Sequence, residues 1–145
     1  MPGLYFSLGG QDNNDEKTVW IQIRYSEMFP DKYGEEEIKN GSTNDDIYLN
    51  FNKKVEAIFG GTFGPDFTQN MIYLFLLEDG TLEYMKSADI YNSKKYEHYP
   101  VSEVNDIVKF DNVTLNYGNS TDWHSIYTII AYKIDGTYYD LSKLI

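Results

Sequence analysis

The chain has no cysteine. A disulfide framework is excluded, and with it cysteine-ligated zinc, thiol catalysis and thiol redox switching. The absence leaves the compartment open, because extracellular chains can also manage without disulfides. Basic residues are scarce: 12 Lys and Arg stand against 23 Asp and Glu, a formal net charge of −11. The densest basic pairs are Lys53-Lys54 and Lys94-Lys95. Nucleic-acid binding needs a basic stripe, which is missing, and an anionic membrane surface is disfavoured for the same reason. The charge favours solubility and cationic or basic partners. No apolar run approaches the roughly 18 residues of a transmembrane helix. The opening MPGLYFSLGG has neither a basic n-region nor a continuous apolar h-region, so it does not read as a signal peptide. Two localisations stay open: cytoplasmic, or extracellular and cell-surface if the chain is a fragment without its leader.

What the chain has is aromatic residues, 17% of it, carried by 14 Tyr, 8 Phe and 2 Trp. Aromatic and β-branched side chains fit a pleated, half-buried surface. The 145 residues fit one domain, 1–145, able to bury roughly two thirds of its unfolded surface. Turn residues cut it into short apolar pieces. Thr18–Tyr25 alternates, with Val19, Ile21 and Ile23 on one face and Trp20, Gln22 and Arg24 on the other, the period of a half-buried strand. Leu4–Leu8 reads as an edge strand. Ile47–Phe51 and Val55–Phe59 read as a hairpin about Asn52-Lys53-Lys54, and the Gly- and Pro-rich Gly60–Asn70 as a structured loop. Helical turns are expected within EEEIKNG (35–41) and after Ser102. A strand near Ile107 either continues into Asn112–Tyr117 or pairs with it. The expected fold is mainly β: about eight or nine short, mostly antiparallel strands, sandwich- or barrel-like, with one or two short helical turns.

Two stretches share a turn: YLFLLEDGTLEYMKSAD (73–89) and IIAYKIDGTYYDLSKL (129–144). Asp-Gly between strand-like runs signals a tight hairpin, and a type I′ turn needs positive φ at both central residues. On that turn Leu77 faces Leu82 and Phe75 faces Tyr84, while Tyr132 faces Tyr139 and Ile130 faces Leu141. Aligning the turns places the more apolar face of the first hairpin on Ala131, Lys133, Tyr138 and Asp140, the less apolar face of the second. A strict repeat is weakened, unless a three-residue loop with a G1 bulge shifts one register.

The half of the chain from Ile72 to Ile145, with its YLFLLEDGTLEY, VNDIVKF and DGTYYDL, resembles uncharacterised, lipoprotein-like proteins of low-GC Gram-positive bacteria. The resemblance implies a β-hairpin-rich domain and a surface location. It implies no activity.

Catalytic motifs are thin, and no catalytic residue is assigned. Asp122, His124 and Ser125 lie in STDWHSIY. On a strand, however, Asp122 and His124 share a face and Ser125 points away from the imidazole that would take its proton. No G-x-S-x-G elbow accompanies them. Gly60–Pro65 lacks the Lys of a phosphate-binding loop. Asp12, Asn14, Asp15 and Glu16 gather oxygen ligands suited to a weak calcium site, without the glycine and distal glutamate of an EF-hand loop. Otherwise no cofactor is indicated. The positive lead is aromatic: Trp20, Tyr84, Trp123, Tyr138 and Tyr139 are candidates to stack on a sugar or anchor a protein. Against it, tyrosine also serves as strand filler with a buried ring and wet hydroxyl. The reading is a non-catalytic binding or interaction module, taking a protein or glycan partner, with a carbohydrate-binding module as alternative and an acidic-residue hydrolase as third. Oligomeric state is not written in the sequence.

Overall fold

A computed structural model of the chain describes residues 4–9, 16–28, 30–31, 44–65, 70–93 and 96–145. The chain is mainly β, 62% strand and 11% helix, in antiparallel, sandwich-like sheets. It divides into two compact units, Met1–Val55 and Glu56–Ile145. The helical turn expected at 35–41 lies outside the described residues.

The first unit is a three-stranded antiparallel sheet of β1 (Leu4–Leu8), β2 (Thr18–Arg24) and β3 (Asn44–Asn50), with β2 in the middle and a short helix, α1 (Tyr25–Met28), after it. The alternation of β2 is realised: Val19, Ile21 and Ile23 are fully buried, flanked by Leu4 and Leu49, while Trp20, Gln22 and Arg24 are half-buried. Each fully buried aliphatic of this kind contributes about 1.5–3 kcal/mol. β3 does not form the hairpin expected between Ile47–Phe51 and Val55–Phe59. It pairs along its whole length with β2, Val19 opposite Leu49 and Ile21 opposite Ile47. The fully buried Val19 and Ile21 of β2 give Leu49 and Ile47 apolar cross-strand partners, which favours closing β3 on β2.

The second unit holds β4 (Val55–Pro65), β5 (Asn70–Leu77), β6 (Leu82–Lys86), helix α2 (Ser87–Ser93), β7 (Tyr99–Pro100), β8 (Ile107–Gly118), β9 (Trp123–Lys133) and β10 (Tyr138–Asp140), closed by a 3-10 turn at Leu141–Lys143. Strands follow the order β10-β9-β4-β5-β6-β7, with β8 on β9. The expected loop from Gly60 is strand as far as Pro65; residues 66–69 lie outside the described set. The reason is close approach: a Cβ on Gly61 would stand 2.7 Å from Ile129 Cδ1, so glycine lets β4 pass over that side chain without displacing it. After Ser102 the chain turns instead of forming helix, with positive φ at Glu103 and Asp106. β8 is one continuous strand with a bulge between Ile107 and Lys109, so Asn112–Tyr117 continues it.

Both Asp-Gly hairpins differ from the expected two-residue turn. Leu76 pairs with Leu82, and Leu74 with Tyr84; Tyr132 pairs with Tyr138, and Ile130 with Asp140. The amides of Gly80 and Gly136 donate to Leu77 and Lys133, and the amides of Leu77 and Lys133 donate to Thr81 and Thr137. Only Gly80 and Gly136 carry positive φ in these turns; Asp79 and Asp135 do not. A type I′ turn is thereby excluded, and each loop is a three-residue loop with a G1 bulge. Each Asp carboxylate instead accepts from the amide and hydroxyl of the Thr two residues on. Because both registers shift together, the core faces still differ. Ile72, Leu74, Leu76 and Leu82 enter the core from the first hairpin, and Ile129, Ala131 and Leu141 from the second hairpin and the turn that follows it. Aligning the turns carries Leu74 and Leu76 onto Ile130 and Tyr132, which face outward. β5 is buried on both sides, its second face formed by Tyr73, Phe75 and Leu77.

Candidate functional site

β8 and β9 form a long hairpin ribbon, with β4 and β10 on the other edge of β9, joined by a tight loop in which the Asn119 carboxamide oxygen accepts from the Thr121 amide and hydroxyl and from the Asp122 amide. Opposite partners on one pleat share a face. The inner face carries Phe110, Ile129 and Ala131 against the core, with Asn112 and Tyr127 on the same side. The outer face carries the pairs Lys109–Tyr132, Asp111–Ile130, Val113–Thr128, Leu115–Ile126 and Tyr117–His124. Tyr138 of β10 extends it beside Tyr132, ring centroids 6.3 Å apart.

Towards the tip, beyond the exposed Lys109 and Asp111, this outer face is apolar where water reaches it. Leu115 is 63% exposed and Tyr117 47%, and Val113 and Ile126 are exposed as well. The Tyr117 and His124 rings stack at 5.1 Å, and His124 Nε2 lies 2.7 Å from Asp122 Oδ1, which holds the stack upright at the tip. At the other end Lys109 Nζ sits 4.8 Å over the Tyr132 ring. A single exposed leucine needs no explanation, whereas contiguous exposed aliphatic and aromatic side chains mark interaction surfaces. Among the described residues β8 pairs only with β9, so its other edge presents open backbone groups.

The five aromatic candidates do not form one platform. Trp20 belongs to the first unit, half-buried, its Nε1 donating to Asp46 Oδ1 at 3.0 Å. Tyr84 is half-buried and packs against the core of the second unit, beside Tyr99. Tyr139 is half-buried against the same core. Trp123 is 63% exposed on the ribbon's inner face, opposite Gly118, which has no side chain to cover it. Tyr138, 64% exposed, lies on the outer face. The two most exposed candidates in this unit therefore look in opposite directions.

Asp12, Asn14 and Asp15 fall outside the described residues, and Glu16 is exposed with a Lys54 ammonium 3.5 Å away. Among the described residues no three His, Asp or Glu side chains gather as metal ligands. Ser125 faces away from His124, its hydroxyl donating to Asn116 Oδ1 at 2.6 Å. A hollow of about 240 Å³ beside the first hairpin's turn is lined by Glu56, Glu78, Asp79 and Asp106. It is below the usual size of a ligand pocket, and its Asp79 carboxylate already serves Thr81. No helix among the described residues is long and apolar enough to cross a membrane.

Sequence reasoning missed the outer-face aliphatics, because Val113, Leu115 and Tyr117 alternate as a buried face would. It also missed Asn112. That side chain donates to the carbonyls of Thr128 and Thr62 at 2.9 and 3.2 Å and accepts from the Thr62 amide at 3.0 Å, fastening β4 to the ribbon. No family model, curated protein or solved structure matches the chain.

Proposed function

We propose that this chain is a non-catalytic protein-interaction module, carried by a bacterial surface protein, whose contact surface is the outer face of β8, β9 and β10 with the open β8 edge. The observation that carries the reading is the contiguous exposed set of Val113, Leu115, Tyr117 and Ile126. Such a patch loses water on docking and contributes roughly 25 cal/mol for each Å² of apolar surface covered. Tyr117, pre-stacked on His124, supplies an anchor of low conformational entropy. The surface location rests on the resemblance of the C-terminal half.

The carbohydrate reading keeps one observation in its favour, exposed Tyr138 beside Tyr132 with Lys109 near the rings. The test sets peptide and protein libraries against a glycan array, using the native chain, Leu115→Asp and Tyr138→Ala. Protein ligands that weaken tenfold or more with Leu115→Asp support the interaction module, a change of about 1.4 kcal/mol. Binding confined to glycans, and lost in Tyr138→Ala alone, overturns it in favour of the sugar reading.

A further inference from the structure

We propose that β8 pairs edge to edge with β8 of a second copy of this chain, antiparallel, about a two-fold axis at Thr114. This rests on the interaction reading and names the partner of its β8 edge; the outer face of both copies stays open.

Natural proteins blunt long edge strands with charge, proline, bulges or a covering element. β8 concentrates its devices at one end. The bulge lies between Ile107 and Lys109, the strand's charged residues are Lys109 and Asp111, and the Ile107 amide is already taken by the Gly80 carbonyl at 3.0 Å. From Asn112 to Gly118 there is no charge, no proline and no bulge. Among the described residues nothing pairs with that segment's outer edge.

The same segment is complementary to itself. A two-fold axis that relates antiparallel neighbours in one sheet stands perpendicular to the sheet, so outer-face residues must meet outer-face residues. With Thr114 opposite its own copy, Val113 meets Leu115 of the second copy and Leu115 meets Val113. Asn112 meets Asn116, and Tyr117 meets Asp111, whose carboxylate is an acceptor for the phenol. No like charges are opposed. Thr–Thr pairs and apolar cross-strand pairs are among the favourable ones. Pairing also joins the exposed Val113, Leu115, Ile126 and Tyr117 of both copies into one patch across the axis.

Charge separates this partner from a basic one. Two chains of net charge −11 repel at long range, yet Lys109 and Asp111 leave the edge itself neutral. Salt screens the repulsion, with a Debye length of about 8 Å at physiological strength, so the homodimer tightens as salt rises. A basic partner loosens instead.

The experiment measures the mass in solution by sedimentation over a concentration and salt series, with three variants. Leu115→Lys alters an exposed side chain and is expected to be monomeric and folded. Thr114→Cys gives a cysteine-free chain one thiol; directly opposed residues lie about 4.5–5.5 Å apart at Cα, within disulfide reach. It is expected to form a covalent dimer on mild oxidation. Tyr117→Cys, far from its own copy in this register, is expected not to. A native chain monomeric at every concentration, or Tyr117→Cys cross-linking as readily as Thr114→Cys, overturns the proposal. If the chain is monomeric while Leu115→Asp still abolishes a selected protein ligand, the homodimer falls and the interaction reading stands.

Discussion

Asn112 holds both backbone polar groups of Thr62, accepting from its amide and donating to its carbonyl. The carboxamide thus stands in for a rung of backbone ladder between β4 and the ribbon, and a third bond to the Thr128 carbonyl fixes its orientation. Replacing it with alanine leaves those groups to water or to nothing. Asn112 is exposed, so water replaces much of what is lost, and Asn112→Ala is expected to lower stability by about 0.5–1.5 kcal/mol. Asn112→Asp keeps the acceptor but turns the donor into a carboxylate facing two carbonyls, and is expected to cost at least as much. Urea denaturation measures both; an Asn112→Ala midpoint equal to the native one removes the rung argument.

Gly61 and Ile129 make a second prediction by steric contact. The added methyl of Gly61→Ala falls 2.7 Å from Ile129 Cδ1 and 3.0 Å from Cγ1, in a core where Ile129 is fully buried. Overpacking of this kind costs about 1–3 kcal/mol. Trimming the neighbour relieves it: in Gly61→Ala with Ile129→Val the Cδ1 that meets the new methyl is gone. The double variant is expected to be more stable than the sum of the single changes predicts, by more than the ~0.5 kcal/mol scatter of independent sites. Additive losses mean that the two groups do not meet.

How much of this was legible beforehand can be read off the same residues. β2 was legible because Val19, Ile21 and Ile23 alternate with polar neighbours and bury one face, which is all that period two can encode. The Asp-Gly turns were legible as turns but not in register. Asp-Gly serves both a two-residue and a three-residue loop, and the choice rests on whether Asp takes positive φ. β4 was misread because glycine signals both a loop and a close approach, and Gly61 is glycine for Ile129, a partner distant in sequence. The outer face was illegible for a simpler reason. Alternation tells which residues share a face and not which face is wet, so Leu115 and Ile129 look alike until the sheet is assembled.

Asp140 and, more weakly, the fully exposed Asp135 are expected to contribute to acid sensitivity. The Thr137 hydroxyl and amide hold the Asp135 carboxyl below its ordinary range. At Asp140 burial opposes ionisation, but hydrogen bonds from Thr128 and Ser142, aided by Lys143, outweigh it and the carboxyl is again lowered. A carboxyl lowered in the folded state contributes stability that is present above its unfolded value, about 3.9, and lost as pH falls through the folded one. Asp140 also caps the 3-10 turn, accepting from the Ser142 amide. Asp140→Asn is therefore expected to be less stable than the native chain at neutral pH, with the gap narrowing as pH drops below about 4. Urea titrations at a series of pH values check it; a gap constant into acid would mean that ionisation contributes nothing.

The two Asp-Gly-Thr turns provide a matched pair. Gly80 and Gly136 have φ of +79° and +89°, the same amide bond back across the turn, and the same Asp–Thr clasp. Alanine at either pays the left-handed penalty, about 1–2 kcal/mol. Their surroundings differ. A Cβ at Gly80 would stand 2.8 Å from the Asp106 amide nitrogen and 2.9 Å from its Cα, backbone that cannot swing away, whereas nothing lies within 4 Å of one at Gly136. Gly80→Ala is thus expected to cost clearly more than Gly136→Ala, and the excess measures how firmly the first turn is docked on Asp106 and Ile107. That docking also keeps the Gly80 carbonyl on the Ile107 amide, at the point where β8 begins. Calorimetric unfolding of the two variants side by side decides the matter. Equal losses would mean that the turn is not seated there, and that the β8 edge is open from its first residue.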